Sequence, residues 1–67
     1  MPIITFESGK LSDEVKSELI QNLTNISAEI TGIPKGSFFV TIREVLDENV
    51  AIGGETVKEI KKRLGRE

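Results

Sequence analysis

The sequence predicts an α/β (α+β) fold built as a small βαβ subunit: a parallel strand pair, one long helix and a short C-terminal segment ending in a second helix. Three observations predict it. Stretches rich in β-branched and aromatic residues lie at 2–7 and 37–45. A single helical stripe fills the sequence between them. The order strand–helix–strand then demands a crossover, so the strands should be parallel, adjacent and connected right-handedly.

The first strand, 2–7, reads Pro-Ile-Ile-Thr-Phe-Glu, and Ser8-Gly9-Lys10-Leu11 breaks its pattern. Ser12 is a good N-cap, with Asp13 and Glu14 in the first turn, where carboxylates meet the positive end of a helix. From Val15 the apolar residues recur at Leu19, Leu23, Ile26 and Ile30, a stripe widened by Ile20, which predicts a helix over 12–31. Gly32 suits the position just past its end, and Pro34 blocks continuation.

The second strand, 37–45, alternates. Phe38, Val40 and Ile42 share the face expected to cover the helix, while Phe39, Thr41, Arg43 and Val45 form a second face with apolar bulk of its own. Asp47-Glu48-Asn49 reads as a turn. The segment 50–54 reads as a short turn ending at Gly53-Gly54, too brief for an independent strand. Thr56 and Glu59 have the spacing of a capping box and open a helix over 56–64 with Val57, Ile60 and Leu64 as its stripe. Lys58, Lys61, Lys62, Arg63 and Arg66 surround that stripe. A solvated helix face is the simpler reading of these cations, and contact with an anion or a partner is the other.

Sixty-seven residues make a single domain, 1–67, that buries too little surface to be comfortably stable alone. Small scaffolds compensate with disulfides, metals or oligomerisation. The absence of Cys removes the first, and the absence of both Cys and His argues against a zinc site. Self-association as a homo-oligomer is what remains, and a two-stranded parallel sheet with one covering helix needs it on topological grounds as well. With 9 basic and 11 acidic residues, the net charge of -2 offers no broad electropositive face for nucleic acid. No apolar run reaches membrane-span length and no signal peptide opens the chain, so no membrane contact and a cytoplasmic location are expected.

Chemistry near neutral pH has few carriers, since His, Cys, Tyr and Trp are all missing. Ser8 and Ser12 have no histidine to activate them. Gly53-Gly54-Glu55-Thr56 lacks the lysine and the spacing of a phosphate loop, and a structural turn explains it better. Met1-Pro2 is the exception. Removal of a methionine before so small a residue would leave Pro2 with a free secondary amine. Terminal amines titrate at about 7.7–8.0 in model peptides, and proline's intrinsically higher value would be lowered by desolvation or nearby positive charge. With Met1 in place, the Pro2 nitrogen is a tertiary amide and no base. On chemistry alone the simpler role for Pro2 is to open an edge strand, where its missing N–H does no harm.

Taken together, Pro2 behind Met1, the strand 2–7, the Gly9-Lys10 turn, the Ser12-Asp13-Glu14 helix start, Pro34 and Ile52-Gly53-Gly54-Glu55 resemble the 4-oxalocrotonate tautomerase family, and within it the DmpI-like branch. The resemblance runs to about residue 55 and rests on order and spacing. It implies a βαβ subunit pairing into dimers, three of which form a hexamer. It also implies that Pro2 is a general base, moving a proton in a small enol or α-keto acid of the 2-hydroxymuconate kind without cofactor or metal. The family's arginine after the first strand corresponds to Lys10, in a loop of different length. Its second arginine falls on Phe39, and its aromatic residue before the Gly-Gly pair falls on Val50. Arg43, four residues beyond Phe39 and on the same face, is a candidate replacement; an ion pair with a neighbouring subunit is its alternative role. The implied substrate-binding residues are thus Lys10, Arg43, Phe39 and Val50. Two other readings stand beside this one: a tautomerase-like scaffold without catalysis that binds small anions or serves assembly, and a nucleic-acid contact through the basic tail, which the net negative charge disfavours.

Overall fold

The computed structural model describes residues 1–65; Arg66, counted above among the tail cations, lies outside the described residues. Strand β1 (Ile3–Ser8) and strand β2 (Phe39–Glu44) form a parallel pair, joined by helix α1 (Asp13–Thr31). A single turn of 3-10 helix, Lys35–Ser37, leads into β2, and a second, Asp47–Asn49, leads out of it. The ladder runs in one register from Ile3 opposite Phe39 to Ser8 opposite Glu44. It is closed at its ends by the Phe39 N–H donating to the Pro2 carbonyl (3.0 Å) and the Val45 N–H donating to the Ser8 carbonyl (2.8 Å).

Local chemistry fixes the limits of α1. The Val15 N–H donates to the Ser12 hydroxyl at the N-terminus (3.2 Å), and Gly32 takes the left-handed conformation at the other end (φ 75) while its N–H donates to the Ala28 carbonyl. The face meeting the sheet is not the apolar stripe as a whole. Leu19 and Leu23 are half-buried, in company with Lys16, Thr24, Ser27 and Ala28, whereas Val15, Ile26 and Ile30 are exposed, Ile30 by 76 %. Small residues at 24, 27 and 28 allow the helix to approach the strand pair closely. Val15 and Ile26 line an open groove with the edges of Leu19 and Leu23 and with Glu18 and Asn22.

Glu44 ties three elements together at the end of the ladder. Its carboxylate accepts the Leu11 N–H (2.8 Å) and pairs with Lys16 of α1 (3.3 Å). The backbone N–H first, and then Lys16, hold this carboxyl below its ordinary value of 4.5.

Beyond β2 the chain forms an arm. Contrary to the sequence expectation of a bare turn at 50–54, Ala51–Ile52 (β3) pairs antiparallel with Glu55–Thr56 (β4) around Gly53-Gly54. Both glycines have positive φ (60 and 89), the requirement of the tight hairpin turn whose twist matches its strands. Helix α2 (Val57–Arg63) follows directly, its Thr56–Glu59 capping box complete. Arg63 grips the Glu55 carboxylate with two nitrogens (3.0 Å each), and Lys61 pairs with Asp47 (2.9 Å), so α2 is held against both the hairpin and the turn before it.

No described residue is fully buried. The chain exposes 5348 Å², against about 4,200 Å² for a folded monomer of its mass. Its radius of gyration is 15.6 Å, against about 11 Å for a compact chain of this length. Among the described residues, no helix is long and apolar enough to cross a membrane.

Two outcomes follow. A depressed carboxylate contributes stability that is present above the unfolded value and lost as pH falls through the folded one. Stability should therefore decline below about pH 4.5 and the decline should be blunted in Glu44→Gln, with Glu59, also held low by its cap, supplying part of the remainder; urea unfolding from pH 3 to 7 at fixed protein concentration reads this. Gly54→Ala meets open space but a left-handed backbone, and should cost about 1–2 kcal/mol in the same assay, while Gly36→Ala, also in open space and without positive φ, should cost nothing comparable.

Candidate functional site

The parallel register decides which candidate residues stand together. Pro2 opens β1, half-buried, with its carbonyl already committed to Phe39. Directly across the ladder, Phe39 and Ile3 form a pair on the sheet face away from α1, 54 % and 63 % exposed. Pro2 thus stands at the head of the ladder, next in the chain to this open apolar pair. Met1 is 83 % exposed, within reach of a processing enzyme.

Lys10 lies at the opposite end of the strand, in the exposed loop between Ser8 and α1. The residues from Ile3 to Ser8 span about 16 Å at 3.3 Å each. Arg43 is at that same far end, on the open face, where it faces Glu7 across the ladder and pairs with it at 3.7 Å. Arg43 and Phe39 do share a face, about 13 Å apart along the strand. Val50 sits in the arm between the Asp47–Asn49 turn and β3, exposed, its carbonyl accepting the Val57 N–H (2.8 Å).

The five sequence candidates therefore occupy three places within one chain: Pro2 with Phe39, Lys10 and Arg43 at the other end of the ladder, and Val50 on the arm. A small acid cannot touch Pro2 and Lys10 of the same chain at once. The structure adds residues that sequence reasoning left as a solvated face: Lys58, Lys61 and Lys62 of α2 line a groove together with Lys10. The signal available in the sequence was the four-residue spacing of Lys58 and Lys62, which puts them on one helix face. What the sequence did not offer was the contact of Lys61 with Asp47, which sets α2 beside the end of β2.

Chemically, the described groups comprise a strand-initial proline beside an apolar surface and a set of exposed cations suited to anionic oxygens. The comparisons with known proteins point the same way. The family model described as tautomerase enzyme matches residues 2–60. A probable tautomerase of Helicobacter pylori is 30% identical, the match covering 94% of this chain and 98% of that protein. The crystal structure of DmpI from Archaeoglobus fulgidus superposes with a TM-score of 0.77 at 32% identity, covering 85% of this chain and 98% of the other. A 4-oxalocrotonate tautomerase isozyme structure from Methylibium petroleiphilum superposes with a TM-score of 0.81 at 30% identity, covering 88% and 97%. A family match spanning nearly the whole chain, on the same small α+β architecture, makes this protein an isomerase of the tautomerase kind: the chain belongs to the 4-oxalocrotonate tautomerase family, in its DmpI-like branch.

Proposed function

We propose that the protein is a cofactor-independent tautomerase acting on a small enol or α-keto acid of the 2-hydroxymuconate kind, with the Pro2 amine, freed by removal of Met1, as general base. The observation that carries this reading is the position of Pro2: at the head of β1, its carbonyl fixed by the Phe39 N–H, next to the exposed pair Ile3 and Phe39 that opens the ladder. The free amine takes the proton of the enol hydroxyl. The oxygen's electrons form the carbonyl, the double bond shifts, and the ammonium so formed returns the proton to carbon. No electron is gained or lost. A positioned base of this sort contributes roughly 10²–10⁴-fold.

Cations are needed to hold the carboxylate and to stabilise charge on the oxygen. Lys10 is the nearest to the family's pattern, with Arg43 a second cation whose charge is shared with Glu7. Phe39 and Val50 supply apolar wall. Because Pro2 and Lys10 stand at opposite ends of β1, one site must draw them from different copies of the chain. The exposed flank of α1, the open sheet face and the excess of surface over a compact monomer support an assembly of several copies, which we take to be a hexamer of three dimers.

A second reading is favoured by one contact. Arg43, the candidate for the missing second arginine, is engaged by Glu7, and Phe39 cannot replace its charge. Under that reading the chain is a catalytically impaired tautomerase fold that binds small anions or serves assembly.

Protein whose intact mass shows that it starts at Pro2 should ketonise 2-hydroxymuconate or phenylenolpyruvate in an ultraviolet assay. Pro2→Ala should lose about 10²-fold or more of that turnover while sedimenting as the same oligomer; retained turnover would sink the mechanism, and a sedimenting monomer would sink the shared site. Lys10→Ala should act chiefly on KM, raising it about tenfold as one charge-assisted contact is lost, with kcat less affected. Unchanged kinetic parameters would take Lys10 out of the site.

A further inference from the structure

The parallel register rules the sheet face turned away from α1 into three rows. Ile3 stands opposite Phe39, Thr5 opposite Thr41, and Glu7 opposite Arg43, and all six residues are exposed. Successive rows are two residues apart, about 7 Å along the strands. Polarity therefore changes in one direction: hydrocarbon at the head of the ladder, hydroxyls in the middle, an ion pair at the far end. The head row is joined to Pro2 directly, since the Phe39 N–H donates to the Pro2 carbonyl (3.0 Å).

That head row carries no charge of its own. Arg43 lies about 13 Å down the face, where it is shared with Glu7 at 3.7 Å. Lys35, four residues before Phe39, belongs to the turn that contacts α1, the helix over the opposite face. Whatever part of a bound molecule lies across Phe39 and Ile3 thus meets hydrocarbon. An ionised carboxylate laid there gives up hydration with no counter-charge in the row to replace it. An aryl or alkyl group gains by leaving water, and an aromatic side chain offers it a large contact area.

We propose that Phe39, with Ile3 opposite it, is the specificity-determining element of the site. It takes an apolar end of the substrate, so the preferred substrate is an enol or α-keto acid with a single carboxylate and an aryl or alkyl substituent. This rests on the reading of Pro2 as the base and narrows the substrate class proposed with it: of the two assay substrates named above, phenylenolpyruvate is favoured over 2-hydroxymuconate. Phe39 takes no part in the proton transfer. It sorts substrates by the group they present at the head of the ladder.

The test uses two unreactive acids, cinnamate and fumarate, which share a propenoate unit and end in a phenyl ring or a second carboxylate. Binding to the full chain starting at Pro2 is measured by calorimetry, and the phenylalanine ring signals are followed by NMR. The chain has three phenylalanines, of which Phe39 is exposed and Phe6 and Phe38 are half-buried. The native protein should bind cinnamate about tenfold or more tighter than fumarate, with the largest ring shifts at Phe39. Phe39→Ser should remove most of that preference, and Phe39→Leu should keep it. The ratio of kcat/KM for phenylenolpyruvate to that for 2-hydroxymuconate should fall about tenfold in Phe39→Ser. Equal affinity of the native protein for the two acids, cinnamate shifts centred away from Phe39, or a preference that survives Phe39→Ser would each overturn the proposal. Sedimentation of the variants as the native oligomer excludes a folding defect, and the native preference and ring shifts decide even where a variant sediments differently. Pro2→Ala should keep the cinnamate preference while losing turnover, so failure of the base and failure of this specificity element are separate results.

Discussion

The parallel ladder between Ile3–Ser8 and Phe39–Glu44 is the constraint on which the rest of the structure depends. Parallel strands bring their beginnings to one end of the sheet and their ends to the other. That is why Pro2 shares its surroundings with Phe39, and why Lys10, Arg43 and Glu44 gather at the far end. The crossover helix follows from the same constraint, since strands running in one direction cannot be joined by a tight turn. Glu44 then locks the returning chain: one carboxylate holds the loop into α1 through Leu11 and the helix itself through Lys16. The Pro2–Phe39 end and the Glu44 anchor thus stand at opposite ends of a strand about 16 Å long.

A single helix over two strands leaves most of its apolar residues without cover. Ile3 and Phe39 lie on the outer sheet face, Val15, Ile26 and Ile30 on the helix flank, and Ile52 on the arm, all exposed. In a chain of 67 residues so many exposed large apolar side chains mark surfaces suited to contact. The arm has its own cohesion. The Gly53-Gly54 hairpin, the Thr56–Glu59 capping box, and the pairs Arg63–Glu55 and Lys61–Asp47 fix α2 without a core beneath it.

Much of the fold was legible because its signals are local. Ser12, Gly32 and Pro34 bracket the long helix, and alternation from Phe38 to Ile42 marks the strand face that meets it. The orientation of the helix was less legible. Residues meant for contact between chains and residues meant for a core within one chain look alike in a hydrophobic stripe, and the actual inner face includes Thr24, Ser27 and Ala28, which carry little apolar signal. The β3–β4 hairpin escaped because two-residue strands are too short to alternate; Gly53-Gly54 was its one visible mark. The candidate site divides the same way. The prominence of Pro2 follows from its place in the sequence, and its proximity to Phe39 from the register. The lysine groove depends on a contact between residues 47 and 61, fourteen apart, for which no spacing rule exists.

Pro2 is half-buried and joins the ladder through its carbonyl, while Met1 projects into solvent. That ladder bond does not use the Pro2 nitrogen, so it is the same whether or not the nitrogen is capped. If the Pro2 amine is the base proposed above, a well-folded preparation can be a mosaic in which the fraction of working sites is set by an aminopeptidase. On that proposal, concentration of folded chain and concentration of competent base are two different quantities, and a tag fused ahead of Pro2 would silence the second.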